Sequence, residues 1–184
     1  QMCIRDRILI AGTIGMILTA PGQTYAISVF IDYFIDELNI SRGFVSTLYT
    51  AGTLTASLAL PYVGRQIDER GSRVVMIIIA ILFGLACIYM SFMRNVVMLV
   101  IGFWLLRMLG QGSLSLVSRN VINQWWVRRR GMAMGIAGMA MALLSSGSFP
   151  SLLNWLIPQF GWRTTYIILG LMIWIIVLPL GLIL

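Results

Sequence analysis

The third apolar run of the chain reads Val74-Val75-Met76-Ile77-Ile78-Ile79-Ala80-Ile81-Leu82-Phe83. It continues without a charged residue over 74–93, which matches the roughly 20 apolar residues that an α-helix needs to cross the hydrocarbon core of a membrane. Charge-free runs of similar length recur at 8–31, 43–64, 131–162 and 164–184, and segment 96–118 is interrupted only by Arg107. These segments nearly exhaust the 184 residues, so no room is left for a separate soluble domain.

The fold predicted from these runs is an all-α membrane protein. Its six transmembrane helices are expected at about 8–34, 43–64, 74–93, 96–118, 131–157 and 164–184. The composition agrees, because 59% of the residues are hydrophobic and only 10% are charged, whereas soluble domains carry about 25% charged residues.

The residue inventory excludes most enzymes and metal sites. The chain has no histidine and two cysteines, which excludes a Ser-His or Cys-His catalytic pair, a zinc-binding HExxH motif and a disulfide framework. A paired-aspartate intramembrane protease needs two carboxylates at the membrane midplane, and only Asp32 comes near that depth. We therefore expect no enzyme activity, metal or cofactor. The net charge of +7 does not indicate a nucleic-acid partner, because all 13 basic residues are arginines placed between apolar runs.

The distribution of arginines between alternate loops predicts the orientation. One side carries Arg65, Arg70, Arg73, Arg119, Arg128, Arg129 and Arg130, and the other carries Arg42, Arg94 and Arg163. Cytoplasmic loops are enriched in basic residues, so the first side is assigned to the cytoplasm of a plasma or inner membrane, together with both ends of the chain. Residues 1–7 are interpreted as a non-native segment because the chain does not open with Met. The last apolar run reaches Leu184 without a polar flank, which indicates a fragment.

Polar side chains are concentrated in the first and fourth segments. The first has Tyr25, Ser28 and Asp32 at helical spacing after Pro21, and the fourth has Arg107, Gln111, Ser115 and Ser118 on one face. The second and fifth segments are rich in small residues, and the fifth has two pairs four residues apart, Gly131 with Gly135 and Gly138 with Ala142, a spacing that permits close helix packing. The third and sixth are apolar on every face, which suits a position facing lipid. This order of polar, small and apolar segments occurs twice and favours a 3+3 inverted repeat.

Arg107 is the most informative residue. It lies about eleven residues into its segment, roughly 16 Å deep at about 1.5 Å per residue, and therefore near the membrane midplane. An arginine there costs about 2.5–3.5 kcal/mol on insertion scales, so it is expected to face the interior and find a partner. Asp32 is about 15 Å away in depth, which leaves carbonyls and amides near Pro21, Gln23 and Thr24, or an anionic substrate held in bidentate geometry. A structural arginine that bridges helices 1 and 4 and a substrate-binding arginine both remain open.

The loop after the second segment carries a recognisable pattern and reads Gly64-Arg65-Gln66-Ile67-Asp68-Glu69-Arg70-Gly71-Ser72-Arg73. It resembles the G-x-x-x-D-(R/K)-x-G-(R/K)-(R/K) signature of the major facilitator superfamily. The matching residues are Gly64, Asp68, Gly71 and Arg73, while Glu69 and Ser72 depart from the pattern and Arg70 lies one place after the missing base. Gly64 permits close helix approach, Gly71 permits a tight turn, and the charges suit a cytoplasmic clasp. The alternative is an ordinary loop that obeys the positive-inside rule.

Two further stretches carry the same resemblance. Arg107 with the glycines on either side of Gln111 is similar to the superfamily's R-x-x-x-G signature. Residues 125–137 read Trp125-Trp126-Val127-Arg128-Arg129-Arg130-Gly131-Met132-Ala133-Met134-Gly135-Ile136-Ala137. This resembles the loop before helix 5 in the monocarboxylate transporter branch, Y-F-x-K-(R/K)-R-x-L-A-x-G-x-A. An aromatic belt with a basic flank would explain the tryptophans and arginines but not the small residues after them. The acidic-glycine signature that the animal branch has in helix 1 is replaced by Pro21-Gly22-Gln23-Thr24-Tyr25, so the chain is most similar to the oxalate/formate-antiporter-like transporters.

The resemblance implies a fold and a mechanism. It identifies 8–184 as the N-terminal six-helix bundle of a twelve-helix secondary transporter whose C-terminal bundle is missing, and the two bundles would expose a midplane site to each side in turn. The substrate would be a small organic anion, a monocarboxylate or dicarboxylate. The other partners would be the lipid bilayer and the missing half of the chain. A complete six-helix protein that works as a dimeric transporter or a channel is the alternative.

The resemblance also implies roles for individual residues. The residues expected to contact the substrate are Arg107, Gln111, Gln23 and Tyr25. The gating and signature residues are Gly64, Asp68, Arg70, Gly71, Arg73, Arg128, Arg129, Arg130 and Gly135, with the inner gate formed by Asp68, Arg70 and Arg73. Asp32 is a candidate proton site, and its alternative role is that of an interfacial residue in water.

Overall fold

The structure is a computed structural model that describes residues 2–183, with side chains over 6–182. Within that range the chain is all-helical and contains no strand, as the apolar runs predict. The α-helices are α1 (Met2–Ile17), α2 (Thr24–Leu38), α3 (Arg42–Ser57), α4 (Leu60–Arg70), α5 (Ser72–Ser91), α6 (Val96–Leu106), α7 (Ser115–Trp125), α8 (Arg130–Ala140), α9 (Phe149–Phe160) and α10 (Trp162–Ile183). A 3₁₀ turn (Ala20–Gly22) joins α1 to α2, a first π segment (Arg107–Leu114) joins α6 to α7, and a second π segment (Met141–Gly147) joins α8 to α9.

Four stretches of helix in the described part of the chain are long and apolar enough to cross a membrane. They are Asp6–Leu38, Ser72–Ser91, Val96–Trp125 and Arg130–Leu182. The last stretch contains both α8–α9 and α10, which are separated only by the turn at Gly161. The helices at 42–70 are not among the four, because α3 has 16 residues and α4 has 11. The predicted all-α membrane architecture is therefore present, and the count of six transmembrane helices stays a prediction.

The helices are interrupted where side chains or small residues supply the local reason. Pro21 lies in the 3₁₀ turn, and proline removes a backbone donor and breaks a helix. In the first π segment the Ser113 hydroxyl donates to the carbonyl of Met108, five residues back, at 2.7 Å. Directly after the second, the Ser148 hydroxyl donates to the carbonyl of Leu143 at 3.1 Å. Single-turn π segments inside α-helices are frequent at functional sites.

The tightest helix pair is α5 against α10. A Cβ on Gly84 would lie 2.1 Å from Nε1 of Trp174, and a Cβ on Gly170 would lie 2.8 Å from the carbonyl oxygen of Gly84. The indole of Trp174 donates to the carbonyl of Ile81 at 3.2 Å. Cys87 and Ile88 of α5 also lie within 3.4 Å of a Cβ built on Gly170, so one face of each helix is buried against the other. The sequence predicted that α5 and α10, the third and sixth segments, face lipid. Only their outer faces are exposed, because a helix that is apolar on every side can equally be packed inside the bundle.

An aromatic cluster ties α10 to α2 and α6. The ring of Phe34 lies 5.6 Å from Trp162 and 5.8 Å from Phe103, both with an edge directed at a face, and the ring of Phe30 lies 4.3 Å from Tyr166. Such pairs contribute about 0.5–1.5 kcal/mol beyond their buried area. The cluster therefore fixes α2, on which several candidate site residues lie.

The turn predicted at Gly71 is present, whereas the close helix contacts predicted at other glycines are not seen among the described residues. Gly71, between α4 and α5, has a φ of 81°, a conformation that L side chains rarely adopt, so the chain turns there as its sequence predicts. The close helix approach expected at Gly64 is absent among the described residues, since nothing lies within 4 Å of a Cβ built there. The same is true at Gly131, Gly135 and Gly138, so these three glycines do not mediate a close helix approach among the described residues.

Candidate functional site

Arg107 is the centre of the candidate site. It begins the first π segment and is only 8% exposed. Its Nε donates to the hydroxyl of Thr53 at 3.0 Å, and its Nη1 donates to the carbonyl of Gly22 at 3.2 Å and to the hydroxyl of Thr24 at 3.4 Å. The guanidinium carbon lies 5.0 Å from the centre of the Tyr49 ring. Arg107 thus connects its own segment to the 3₁₀ turn, to the first residue of α2 and to α3. The sequence predicted a bridge between the first and fourth segments only, so the contact with α3 is additional.

The partners of Arg107 account for its burial. Hydrogen bonds to a charged group contribute about 1.5–3 kcal/mol each, and a cation over an aromatic face adds about 0.5–2 kcal/mol. Together they offset an insertion cost of about 2.5–3.5 kcal/mol. None of the ion pairs among the described residues includes Arg107. Its positive charge is therefore solvated by neutral groups.

A cavity of about 190 Å³ adjoins the guanidinium, and we call it the Arg107 cavity. Its lining residues are Thr53, Ala56, Ser57, Leu60, Arg107, Gln111 and Gly112. It contains one cation, one amide, two hydroxyls and an apolar wall, and no acidic side chain. A Cβ on Gly112 would lie 2.5 Å from Cδ2 of Leu60, so the glycine allows Leu60 to pack against the π segment. The structure brings together Arg107 and Gln111, two of the four residues expected to contact a substrate.

Gln23 and Tyr25, the other two candidates, lie outside the lining of the Arg107 cavity. Gln23 is 9% exposed, and its amide donates to the hydroxyl of Thr19 at 3.0 Å. The Tyr25 hydroxyl contacts the hydroxyl of Ser145, which in turn donates to the carbonyl of Ile17 at 3.2 Å. Because a serine hydroxyl has one proton, Tyr25 is the donor to Ser145. This chain of hydrogen bonds joins α2 and the end of α1 to the second π segment.

Sequence reasoning missed three of the groups that hold Arg107 and Tyr25 in place. Thr53 and Tyr49 on α3 and Ser145 in the second π segment are not among the candidate residues that the sequence predicts. The sequence places several threonines of the second segment near the depth expected for Arg107, and this was the one indication that a hydroxyl of that segment could be its partner. Nothing in the sequence indicates that Ser145, which is fully buried, faces α2.

The signature loop does not form the expected clasp within the described residues. Arg65 pairs with Glu69, four residues later on the exposed face of α4, at 2.6 Å. Asp68 makes none of the ion pairs seen in the structure. It lines a second cavity of about 320 Å³, the Asp68 cavity, together with Arg119 and Asn123. Arg70 lines a different groove, and Arg73 is exposed. Asp68, Arg70 and Arg73 are therefore near in sequence but form no ion pair with one another among the described residues.

The remaining candidates are at the surface. Arg128, Arg129 and Arg130 are exposed, and Arg130 donates to the carbonyl of Asn123 at 3.3 Å. Asp32 is 67% exposed and forms an ion pair with Arg42 across the α2–α3 turn.

An unpredicted link connects three helices. Arg163 on α10 pairs with Glu37 on α2 at 2.6 Å and donates to the carbonyl of Ser91, at the end of α5, at 2.9 Å. Its guanidinium also stacks over the ring of Trp162 at 4.4 Å.

Comparisons with known proteins match most of the chain. The family model described as Major Facilitator Superfamily covers residues 12–184. A probable sulfoacetate transporter of Cupriavidus necator is 29% identical over 155 residues, which is 77% of this chain and 35% of that protein. Monocarboxylate transporter 14 of Homo sapiens is 25% identical over 151 residues, which is 81% of this chain and 29% of that protein. The chain thus spans about a third of the length of these relatives.

Proposed function

Because the chain belongs to the Major Facilitator Superfamily, we propose that it forms the N-terminal half of a twelve-helix secondary transporter that carries a small organic anion by alternating access. The family and the relatives point to a transporter and not to an enzyme. Both relatives have names that denote organic anions, a sulfoacetate and a monocarboxylate. This half would contribute one wall of the transport pathway, and a C-terminal bundle would contribute the other.

The observation that carries the proposal is the buried guanidinium of Arg107 beside a cavity without acidic side chains. A guanidinium binds a carboxylate or sulfonate through parallel hydrogen bonds, and such charge-assisted bonds are stronger than neutral ones. Since Arg107 is solvated by a carbonyl, hydroxyls and a ring, a bound anion would add the missing negative charge. The hydroxyl of Ser57 and the amide of Gln111 line the same cavity and would bind a second polar group of the substrate.

The proposed topology has six spans: α1–α2, α3–α4, α5, α6–α7, α8–α9 and α10, arranged as a 3+3 inverted repeat. Irregular backbone at membrane depth is tolerated only where protein buries it or a cavity faces it. The contacts between the 3₁₀ turn and the first π segment, and between α2 and the second π segment, support placing all three interruptions in the interior. The arginine-rich side, with both ends of the chain, would face the cytoplasm.

The proposed inner gate consists of Asp68, Arg70 and Arg73, with Arg128–Arg130 on the same side. Asp68 and Arg119 line one cavity without pairing, which leaves both charges available to a C-terminal bundle. Gln23 and Tyr25, which belong to the first proposed span, would contact the substrate at the edge of its site.

Asp32 remains a proposed proton site. If it carries the coupled proton, Asp32→Asn removes the pH dependence of uptake, and an unchanged pH profile excludes that role.

The test uses the full-length transporter that contains this chain, reconstituted in vesicles. Uptake and equilibrium binding of radiolabelled sulfoacetate and of a panel of small monocarboxylates are measured for wild type, Arg107→Gln and Arg65→Gln. Arg65 is the matched control, because its guanidinium is exposed and pairs with Glu69. We expect Arg107→Gln to lose binding and uptake while membrane insertion and thermal stability stay near wild type. Equal uptake by the two variants would refute the assignment of Arg107 to the substrate.

A further inference from the structure

A groove between α4 and α5 lies apart from the Arg107 cavity, and Arg70 is the one residue of its lining that also belongs to the proposed inner gate. It has a volume of about 180 Å³, and its floor includes Met108 of the first π segment. The groove opens to the outside of the bundle, since Tyr62 on α4 is 64% exposed and Ile78 and Leu82 on α5 are 40% and 46% exposed. Its walls are therefore in contact with the surroundings of the bundle and not with another part of the described chain.

The two walls of the groove become more polar in one direction. On α4, Tyr62, Gln66 and Arg70 line the groove at intervals of four residues and so share one helical face. Arg70 is the last residue of α4 and lies next to the turn at Gly71. On α5, Ile78 and Leu82 line the same groove further from that turn. The groove is thus apolar along its length and cationic at the end near the loop, which matches the polarity of a phospholipid.

Arg70 is available for a ligand. It takes no part in the ion pairs among the described residues, whereas Arg65 on the same helix is paired with Glu69 at 2.6 Å. Arg70 does not line the Asp68 cavity, which lies along Gly64, Ile67 and Asp68 of the same helix. Its side chain is exposed and lines the apolar groove.

We propose that the α4–α5 groove binds one anionic phospholipid, with an acyl chain along Ile78 and Leu82 and the phosphate at Arg70. Basic pockets between membrane helices on the cytoplasmic side bind anionic headgroups, and each arginine near the surface contributes about 1 kcal/mol. The inference rests on the proposed function only for placing α4 and α5 across the membrane with Arg70 at its cytoplasmic face. The acyl chain contacts Met108, next to Arg107 in the sequence, so the lipid site and the Arg107 cavity lie on two sides of the same π segment.

The test is a lipid titration of the full-length transporter, delipidated in detergent and measured by native mass spectrometry without substrate. The probes are dioleoyl-phosphatidylglycerol and dioleoyl-phosphatidylcholine. We expect Arg70→Gln to weaken the first phosphatidylglycerol binding step about fivefold, which corresponds to about 1 kcal/mol, and to leave phosphatidylcholine binding unchanged. Arg65→Gln, which removes the same charge from the same helix, is expected to leave both unchanged. Equal effects of the two variants would overturn the proposal.

A second pair of variants tests the apolar part of the groove. Leu82→Trp fills the groove and is expected to weaken the binding of both lipids, whereas Leu85→Trp adds the same ring at a position on α5 that is 48% exposed and outside the lining. Unchanged binding by Leu82→Trp, at a thermal stability equal to that of Leu85→Trp, would overturn the proposal, as would displacement of the lipid by inorganic phosphate alone. We expect Arg107→Gln to bind lipid like wild type, so failure of the transport assignment and failure of the lipid site are distinguished.

Discussion

Gly22 and Gly110 place the backbones of the first and fourth predicted spans in direct contact. A Cβ on Gly110 would lie 3.0 Å from the Cα of Gly22, and a Cβ on Gly22 would lie 2.4 Å from the carbonyl oxygen of Leu106. This approach brings the Gly22 carbonyl within 3.2 Å of Nη1 of Arg107. The position of the buried cation therefore depends on the absence of two side chains, one in the 3₁₀ turn and one in the first π segment.

Gly110→Ala is expected to destabilise the protein by about 1–3 kcal/mol, the usual cost of an added carbon in a packed core. Its Cβ would lie 2.5 Å from Cζ of Phe83, which is fully buried, and 3.0 Å from backbone, so neither neighbour yields easily. Thermal unfolding in detergent measures the loss. Gly43→Ala is the control, because a Cβ there meets nothing within 4 Å and the change is expected to stay within about 0.5 kcal/mol. Equal melting temperatures for the two variants would contradict this account.

Thr53→Val is expected to weaken substrate binding about tenfold or more. The variant removes the hydroxyl that accepts the Nε–H of Arg107 at 3.0 Å, and losing a hydrogen bond to a charged group costs about 1.5–3 kcal/mol. The reoriented guanidinium would no longer face the Arg107 cavity in the same geometry. Equilibrium binding of labelled substrate measures the effect.

The control for this variant is Thr50→Val, one helical turn earlier on α3. The Thr50 hydroxyl donates to the carbonyl of Ser46 at 2.9 Å and makes no hydrogen bond to Arg107. Its replacement is expected to leave substrate binding unchanged. If Thr53→Val and Thr50→Val bind substrate equally, the hydroxyl of Thr53 does not position Arg107 for binding.

The all-helical membrane fold was predictable because length and apolarity decide whether a segment can span a bilayer. Residue counting placed Pro21, Gln23 and Thr24 level with Arg107, and the structure has the Gly22 carbonyl and the Thr24 hydroxyl at its guanidinium. The groups on α3 were not predictable in this way, because Thr50, Thr53 and Thr55 lie within two turns and nothing in the spacing distinguishes the one that faces the arginine. That choice depends on how α3 rotates against α6 in the packed bundle.

The positions of the π segments and the partners of the small residues could not be predicted from the sequence either. At each π segment one serine hydroxyl donates to a carbonyl five residues back: that of Ser113 within the first segment and that of Ser148 directly after the second. Other serines lie in regular α-helix, as Ser28 on α2 does with its bond to the carbonyl of Tyr25, three residues back. The glycine spacing at Gly131 and Gly135 predicted a close contact that the described chain lacks, because such spacing permits an approach and does not specify a partner.

Ser145→Ala is expected to destabilise the protein by about 1–3 kcal/mol, and Tyr25→Phe by less. The first change leaves both the Tyr25 hydroxyl and the Ile17 carbonyl without their partner, and unsatisfied buried groups carry that cost. The second leaves the bond from Ser145 to Ile17 intact. The double variant is expected to be no less stable than Ser145→Ala alone, since one bond is shared. Ser146→Ala, on the exposed face of the same segment, serves as the control. Additive losses in the double-mutant cycle would show that the two hydroxyls act independently.

Arg163→Gln is expected to lower stability more than Arg42→Gln, although each removes one ion pair with a residue of α2. Both pairs are partly open to solvent, which limits an exposed pair to about 0.2–1 kcal/mol, and the side chains of Arg42 and Asp32 are 68% and 67% exposed. Arg163 and Glu37 are less open, at 36% and 38%, and Arg163 also donates to the carbonyl of Ser91 and stacks on Trp162. Adding salt screens exposed pairs, so the contribution of Arg42 is expected to fall more with ionic strength than that of Arg163. Melting curves of the two variants at low and high salt measure this difference. An equal salt dependence would mean that the bonds to Ser91 and Trp162 add nothing to the ion pair of Arg163.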